Sequence, residues 1–146
     1  MPNVVTWNGT MIFGAGGNFQ NYAKTGWSLP ESNITWIDGH QATLEFSMAA
    51  PDVDQILALT VLKVKINAVQ HMHAYLNGCF LGLVDGKEGM AEFTLHVNHE
   101  YFRPNGSRNT LAFVCPDAVR PSDAGAGPDR RTLSFAFTLL SLYPAE

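Results

Sequence analysis

The chain has 146 residues and a net charge of −4, from nine Lys plus Arg against thirteen Asp plus Glu. Apolar residues make up 46% and charged residues 15%; this composition excludes disorder, and the length is one domain's worth of polypeptide. The basic residues are scattered, so the basic face that nucleic-acid binding needs is missing, and no run of about 18 apolar residues exists to span a membrane.

The N-terminus, Met1-Pro2-Asn3-Val4-Val5, lacks the basic-then-apolar build of a secretory signal. A cytosolic protein or a piece of a longer exported chain is therefore expected. Residues 14–33 hold several glycines and Gly26-Trp27-Ser28-Leu29-Pro30-Glu31, and they read as a long loop. Period two begins at residues 41–49, where Ala42, Leu44, Phe46 and Met48 alternate with Gln41, Thr43, Glu45 and Ser47. Successive strand side chains point to opposite faces, so this is a half-buried strand. Residues 52–59 suggest a short turn of helix. Residues 56–69 read as a strand with Leu62, Val64, Ile66 and Ala68 inward and Lys63, Lys65 and Asn67 opposite.

Residues 70–77 place Met72, Ala74 and Leu76 on one face and His71, His73 and Tyr75 on the other. Asn77-Gly78 follows and predicts a type I′ hairpin into residues 79–85, because that turn needs positive φ at both central positions. Residues 91–98 alternate with Phe93, Leu95 and Val97 inward, and residues 109–115 form another strand. Residues 116–131 contain three prolines and Asp117, Asp123 and Asp129, and they read as a second long loop. The last strand, residues 132–143, runs Leu133, Phe135, Phe137, Leu139 and then shifts phase to Leu140 and Leu142, which predicts a β-bulge. About eight or nine antiparallel strands and no helical stripe predict an all-β sandwich of jelly-roll type. Cys79 and Cys115 belong to no metal spacing and read as small apolar side chains on strands. The triplets beginning at Asn8, Asn33 and Asn105 match glycosylation acceptors and read as turns.

Several constellations bear on function. His71 and His73 share a strand face two positions apart, a spacing at which two imidazoles can share a metal ion. The pair resembles the first metal motif of cupins, but Asn77 and Gly78 stand where a cupin has its glutamate. The two histidines then read as a solvated or ligand-facing pair. Trp27, Trp36 and Tyr75 suit a sugar platform, because the C–H face of a pyranose lies well on an aromatic ring. Trp27 and Trp36 equally suit plugs for the ends of the sandwich, the commoner use of large aromatics. Asp129 and Arg131 read either as a salt bridge pinning the long loop or as hydroxyl- and anion-binding groups. Glu31 with the loop aspartates is the sole candidate for a glycosidase pair, and no nucleophile, zinc-protease or phosphate-loop motif is present.

The order Tyr75-Leu76-Asn77-Gly78, Phe80-Leu81-Gly82, Phe93-Thr94-Leu95, Asn109-Thr110-Leu111-Ala112-Phe113 resembles the second half of galactose-binding-like jelly rolls. A resemblance over nearly the whole chain rests on Tyr22, Gly26-Trp27-Ser28, Pro30-Glu31, Thr35-Trp36 and Gly39. It continues through Pro116-Asp117-Ala118, Pro121, Gly125, Asp129-Arg130-Arg131, Leu133 and Phe135-Ala136. These residues resemble the β-sandwich modules appended to bacterial glycosyltransferases and related cell-envelope polysaccharide proteins. The chain departs from that pattern at Val119-Arg120 and at Ser134. The resemblance implies a non-catalytic carbohydrate-binding module for a bacterial glycan or glycoconjugate, with no cofactor. Trp27, Glu31, Trp36, Asp129 and Arg131 are its loop candidates, and His71, His73 and Tyr75 its sheet-face candidates. Alanine at the true site is expected to abolish sugar binding without lowering the melting temperature. The alternatives are a structural module that uses a sandwich face to form a homo-oligomer or dock a partner, and a small cupin-like metalloprotein or hydrolase.

Overall fold

The computed structural model describes residues 4–7, 9–66 and 68–145. Asn8 and Asn67 lie outside them. The described residues hold nine strands: β1 (Thr10–Ile12), β2 (Thr35–Asp38), β3 (Gln41–Phe46), β4 (Gln55–Lys63), β5 (His71–Leu76), β6 (Cys79–Asp85), β7 (Met90–Val97), β8 (Asn109–Val114) and β9 (Leu133–Pro144). They make a jelly-roll β-sandwich. One sheet runs β1-β9-β4-β7, with β2 continuing the β1 edge along β9; the other runs β3-β8-β5-β6. All pairings between these strands are antiparallel.

The core lies between the sheets. Phe113 of β8 and Phe137 of β9 meet across the gap with ring centroids 4.8 Å apart, the interdigitation expected of two packed inner faces. Phe13, Phe46 and Phe135 are also fully enclosed. In β5 the expected inward set, Met72, Ala74 and Leu76, is buried. Asn77 at φ 51° and Gly78 at φ 83° close the predicted hairpin, with Leu76 opposite Cys79.

Residues 52–59 correct the sequence reading. They form no helix; Gln55 opens β4, which is flanked by β9 and β7. The outward side of this strand, Ile56, Ala58 and Leu62, is apolar as well as its core side, and periodicity alone does not separate such a run from a buried helix turn. The strand also ends earlier than expected, at Lys63, and its parity is the reverse of the expected one. Leu57, Leu59 and Val61 face the core, while half-buried Leu62 faces out. Leu57 stands opposite Leu95 and Leu142, and this cross-strand packing sets the register. Val64 is buried beyond the strand end, whereas Ala68 is exposed.

The expected bulge in the last strand is present. Thr60 opposes Leu139 and Val61 opposes Phe137, which leaves Thr138 as the extra residue. The phase therefore changes one step earlier than expected: Leu139 is exposed and Leu140 is buried. The remaining sequence triplets, at Asn33 and Asn105, do lie in a bend and a turn.

Candidate functional site

Residues 22–28 lie between the free edges of the two sheets. Lys24 N donates to Thr43 O (3.0 Å), Thr43 N to Thr25 O (2.9 Å) and Glu45 N to Tyr22 O (2.8 Å), which adds a short extended segment to β3. Two residues later the chain crosses to the other sheet: Asp38 N donates to Gly26 O (2.8 Å) and Ser28 N to Trp36 O (2.9 Å). Gly26 makes the crossing at φ 85°, and a Cβ there would lie 2.0 Å from Gln41 O. Only glycine tolerates both the left-handed backbone and that approach. The segment thus stitches the open side of the sandwich.

Trp27 follows that glycine and turns into the core. Its ring centroid lies 5.3 Å from those of Phe13 and Phe137, and its indole N–H donates to Thr43 O at 2.9 Å. The ring closes the side of the sandwich and also forms the floor of an open cleft of about 850 Å³. Around that floor stand Gln20, Lys24, Glu31, Asp38 and Arg131.

Arg131 organises the rim. Its guanidinium donates to both carboxylate oxygens of Asp129 (Nη2 to Oδ2 2.8 Å, Nε to Oδ1 3.1 Å) and to Ser28 Oγ (3.2 Å), and lies 3.5 Å from Glu31 Oε2. Asp129 Oδ1 also accepts from Arg131 N at 3.0 Å. The side-chain hydrogen bonds from Arg131, then its backbone one, hold Asp129 below the usual carboxylate range, and Asp129 in turn raises Arg131. Through Ser28 Oγ and Glu31 the guanidinium ties residues 116–131 to the Trp27 segment, while Asp129, in the same loop, holds it in place. Around the cleft Lys24 and Arg131 balance Glu31 and Asp38, and Asp129 behind the rim adds one negative charge.

The sheet-face candidates lie elsewhere, on the outer face of the β3-β8-β5-β6 sheet. Tyr75 and His73 flank exposed Phe80, with ring centroids 5.5 and 6.0 Å away. His71 is held by carboxylates: Nδ1 is 2.8 Å from Asp117 Oδ2 and Nε2 is 3.4 Å from Asp85 Oδ1. No group of three or more His, Cys, Asp or Glu among the described residues is placed to hold a metal ion.

Trp27, Glu31 and Arg131 thus share the cleft, with Asp129 behind its rim, while His71, His73 and Tyr75 do not line it. Trp36 differs from the expectation in two ways. It lies in β2 rather than in a loop, and it lines a separate groove instead of plugging an end of the sandwich. Sequence reasoning missed Gln20, Lys24 and Asp38, because nothing in their local pattern separates them from ordinary surface residues. It also missed Phe80, although the type I′ hairpin register that it did identify places Phe80 beside Tyr75.

No protein-family model and no curated protein matches this chain. Solved structures do. The chain is similar to the C-terminal CBM6 of LamC, a marine laminarinase from Zobellia galactanivorans, at TM-score 0.55 and 7% identity, covering 93% of this chain and 99% of that one. It is similar to a family 35 carbohydrate-binding module from Clostridium thermocellum at TM-score 0.57 and 12% identity, covering 93% and 98%. It is also similar to part of the mosquito-larvicidal Cry4Aa toxin from Bacillus thuringiensis, at TM-score 0.57 and 7% identity, over 86% of this chain and 22% of the toxin. The fold is that of carbohydrate-binding-module jelly rolls. At these identities the likeness concerns the fold, and one fold serves several functions.

Proposed function

We propose that this chain is a non-catalytic carbohydrate-binding module that recognises a bacterial glycan or glycoconjugate in the cleft over Trp27. The observation that carries this reading is the convergence of Trp27 and Glu31 with Arg131, which is distant from them in the sequence, on one open cleft. An aromatic floor offers a surface to the apolar face of a sugar ring. The carboxylates of Glu31 and Asp38 accept from its hydroxyls, and Lys24 and Gln20 donate to its oxygens. The near end-to-end match with two carbohydrate-binding modules supports the reading, since those modules are whole domains of this size.

A glycan array on the purified protein tests it, followed by a thermal shift on each hit. A saturable hit that raises the melting temperature, and that Glu31→Gln weakens while Tyr75→Ala does not, is the expected result. Binding that survives Glu31→Gln and is lost in Tyr75→Ala moves the site to the sheet face. A blank array removes the carbohydrate reading.

A second reading is an assembly module. The exposed Phe80 and Leu83 on the free-edge strand β6, beside Tyr75, favour it, because an edge strand with apolar side chains invites pairing with another chain. Light scattering that reports a concentration-dependent oligomer, dispersed by Phe80→Lys, is the outcome this reading expects.

A further inference from the structure

The outer face of the five-stranded sheet lacks the pattern of a solvated one. An antiparallel sheet with one face on the core alternates apolar inward with polar outward, and β3 obeys this with Gln41, Thr43 and Glu45 outward. On the five-stranded sheet the register places Trp36, Ala136, Leu62 and Met90 side by side across β2, β9, β4 and β7. The next row is Ile12, Leu139, Thr60 and Glu92. Beyond the small pair Ser141 and Ala58, Ile56 stands beside Tyr143. Of these side chains Ile12, Met90, Leu139 and Tyr143 are large, apolar and exposed.

Charge and extent both bear on what covers this face. Among the described residues Glu92, on the edge strand β7, is the only Asp, Glu, Lys or Arg in these rows. Charged groups gather at the margins instead, Lys65 and Glu88 near Trp36 at one end and Asp54 with His96 at the other. An apolar centre within a polar rim is the anatomy of a protein–protein contact. The face is four strands wide and runs from Ile56 to Leu62 along β4. At strand spacings of about 4.8 Å and about 3.3 Å per residue it covers roughly 450 Å² in projection. Protruding side chains add to that figure, and two such faces together reach the roughly 1,000 Å² of a specific interface.

We infer that the outer face of the five-stranded sheet is the contact of a symmetric homodimer, in which a second copy of this chain packs face to face on it. The face offers a partner of opposite charge almost nothing to pair with. On a chain of net charge −4, a face with one acid lets two copies approach with little like-charge repulsion. The two sheets pack aligned, with the two-fold axis parallel to the strands. The β7 strand of each copy then lies over the β1–β2 edge of the other, so the two Glu92 carboxylates stand at opposite margins and do not meet. None of the residues in these rows lines the Trp27 cleft, so the inference is independent of the carbohydrate reading. It also puts the contact on the opposite sheet from Phe80.

The test is sedimentation velocity on the intact chain from about 1 μM to about 1 mM. A reversible monomer–dimer equilibrium is the expected result. Leu139→Lys and Met90→Lys, each at an exposed position, should each weaken dimerisation at least about tenfold, because a two-fold contact meets every substitution twice. Their melting temperatures, compared at a concentration where the natural chain is monomeric, should match it, and Phe80→Lys should leave dimerisation unchanged. If a lysine variant is destabilised, NMR of the natural chain decides. The Trp36 indole resonance should shift on dilution, while that of Trp27, whose N–H is bonded to Thr43 O, stays in place. A chain that remains monomeric throughout overturns the inference. So does a Trp36 indole that does not move, or a dimer that Phe80→Lys disperses and the Leu139 and Met90 variants leave intact.

Discussion

The indole N–H of Trp27 donates to the main-chain oxygen of Thr43 at 2.9 Å while its ring packs on Phe13 and Phe137. One side chain thus bonds the edge of β3, fills the core and floors the cleft. Trp27→Ala is therefore expected to lower stability by about 3–5 kcal/mol, the usual loss for a truncated core aromatic. This corrects the expectation of a preserved melting temperature, and a loss of binding in that variant does not separate contact from unfolding. Trp27→Phe keeps most of the packing and forgoes the hydrogen bond, and should cost about 1 kcal/mol more than a neutral change. Urea denaturation of both variants checks the ordering.

Phe46 and Phe135 are fully enclosed, one on each sheet. Alanine at either should cost about 3–5 kcal/mol by chemical denaturation. A loss below about 1 kcal/mol would mean that the site collapses around the deletion far more than close-packed interiors do.

Gly26→Ala asks for a left-handed residue with a Cβ 2.0 Å from a backbone oxygen. The left-handed backbone alone costs about 1–2 kcal/mol, and the clash adds to it by forcing the Trp27 segment off β3. Thermal denaturation should show a lower midpoint. Gly39→Ala, at positive φ but with nothing near its Cβ, should show a smaller drop. Equal effects would argue against the close approach as the cause.

Asp54 ties the start of β4 to the end of β7. Its Oδ1 accepts from His99 N at 2.9 Å and from His99 Nδ1 at 2.8 Å, and its Oδ2 lies 2.8 Å from His96 Nε2. The backbone bond from His99, then the side chains of His99 and His96, hold this carboxyl well below the usual range. A depressed folded-state pKa gives stability that is present above the unfolded value, about 3.9, and is lost as pH falls below it. Between about pH 4 and pH 2 the unfolding free energy should therefore fall more steeply for the natural chain than for Asp54→Asn. Parallel curves over that range would dismiss the network.

Burial pushes the Cys115 thiol up to about 12, and its side chain is fully enclosed. The thiolate is the reactive form, so a thiol reagent at pH 8 should label Cys79, which is only half-buried, and spare Cys115 until the chain is unfolded. Mass spectrometry of the labelled peptides reads this directly; equal labelling in the native protein would contradict the burial.

Strands with one face on the core were legible, because alternation is a local property. Gln41 to Phe46, His71 to Leu76 and the Asn77-Gly78 turn needed only their own side chains to be read. The parity of β4 was not legible. Both faces of that strand are apolar, and the choice between them lies in the packing of Leu57 against Leu95 and Leu142, residues distant in the chain. The three-residue β1 and four-residue β2 escaped for a related reason: segments so short carry too few alternations to stand out, and their pairing with β9 defines them.

The candidate site divides in the same way. Sequence by itself supplied the residue types suited to holding a sugar, Trp27, Glu31, Trp36, Asp129 and Arg131 on one side and His71, His73 and Tyr75 on the other. It also supplied the sandwich on which they stand. Only the tertiary structure decided which of them meet. The hydrogen bonds of residues 24–28 to β3 and β2 bring Glu31 to Arg131, while the position of Trp36 along β2 carries it to a separate groove. Alternation encodes which face a residue takes, but proximity across the fold is set by sheet pairing and loop closure, which no local pattern contains.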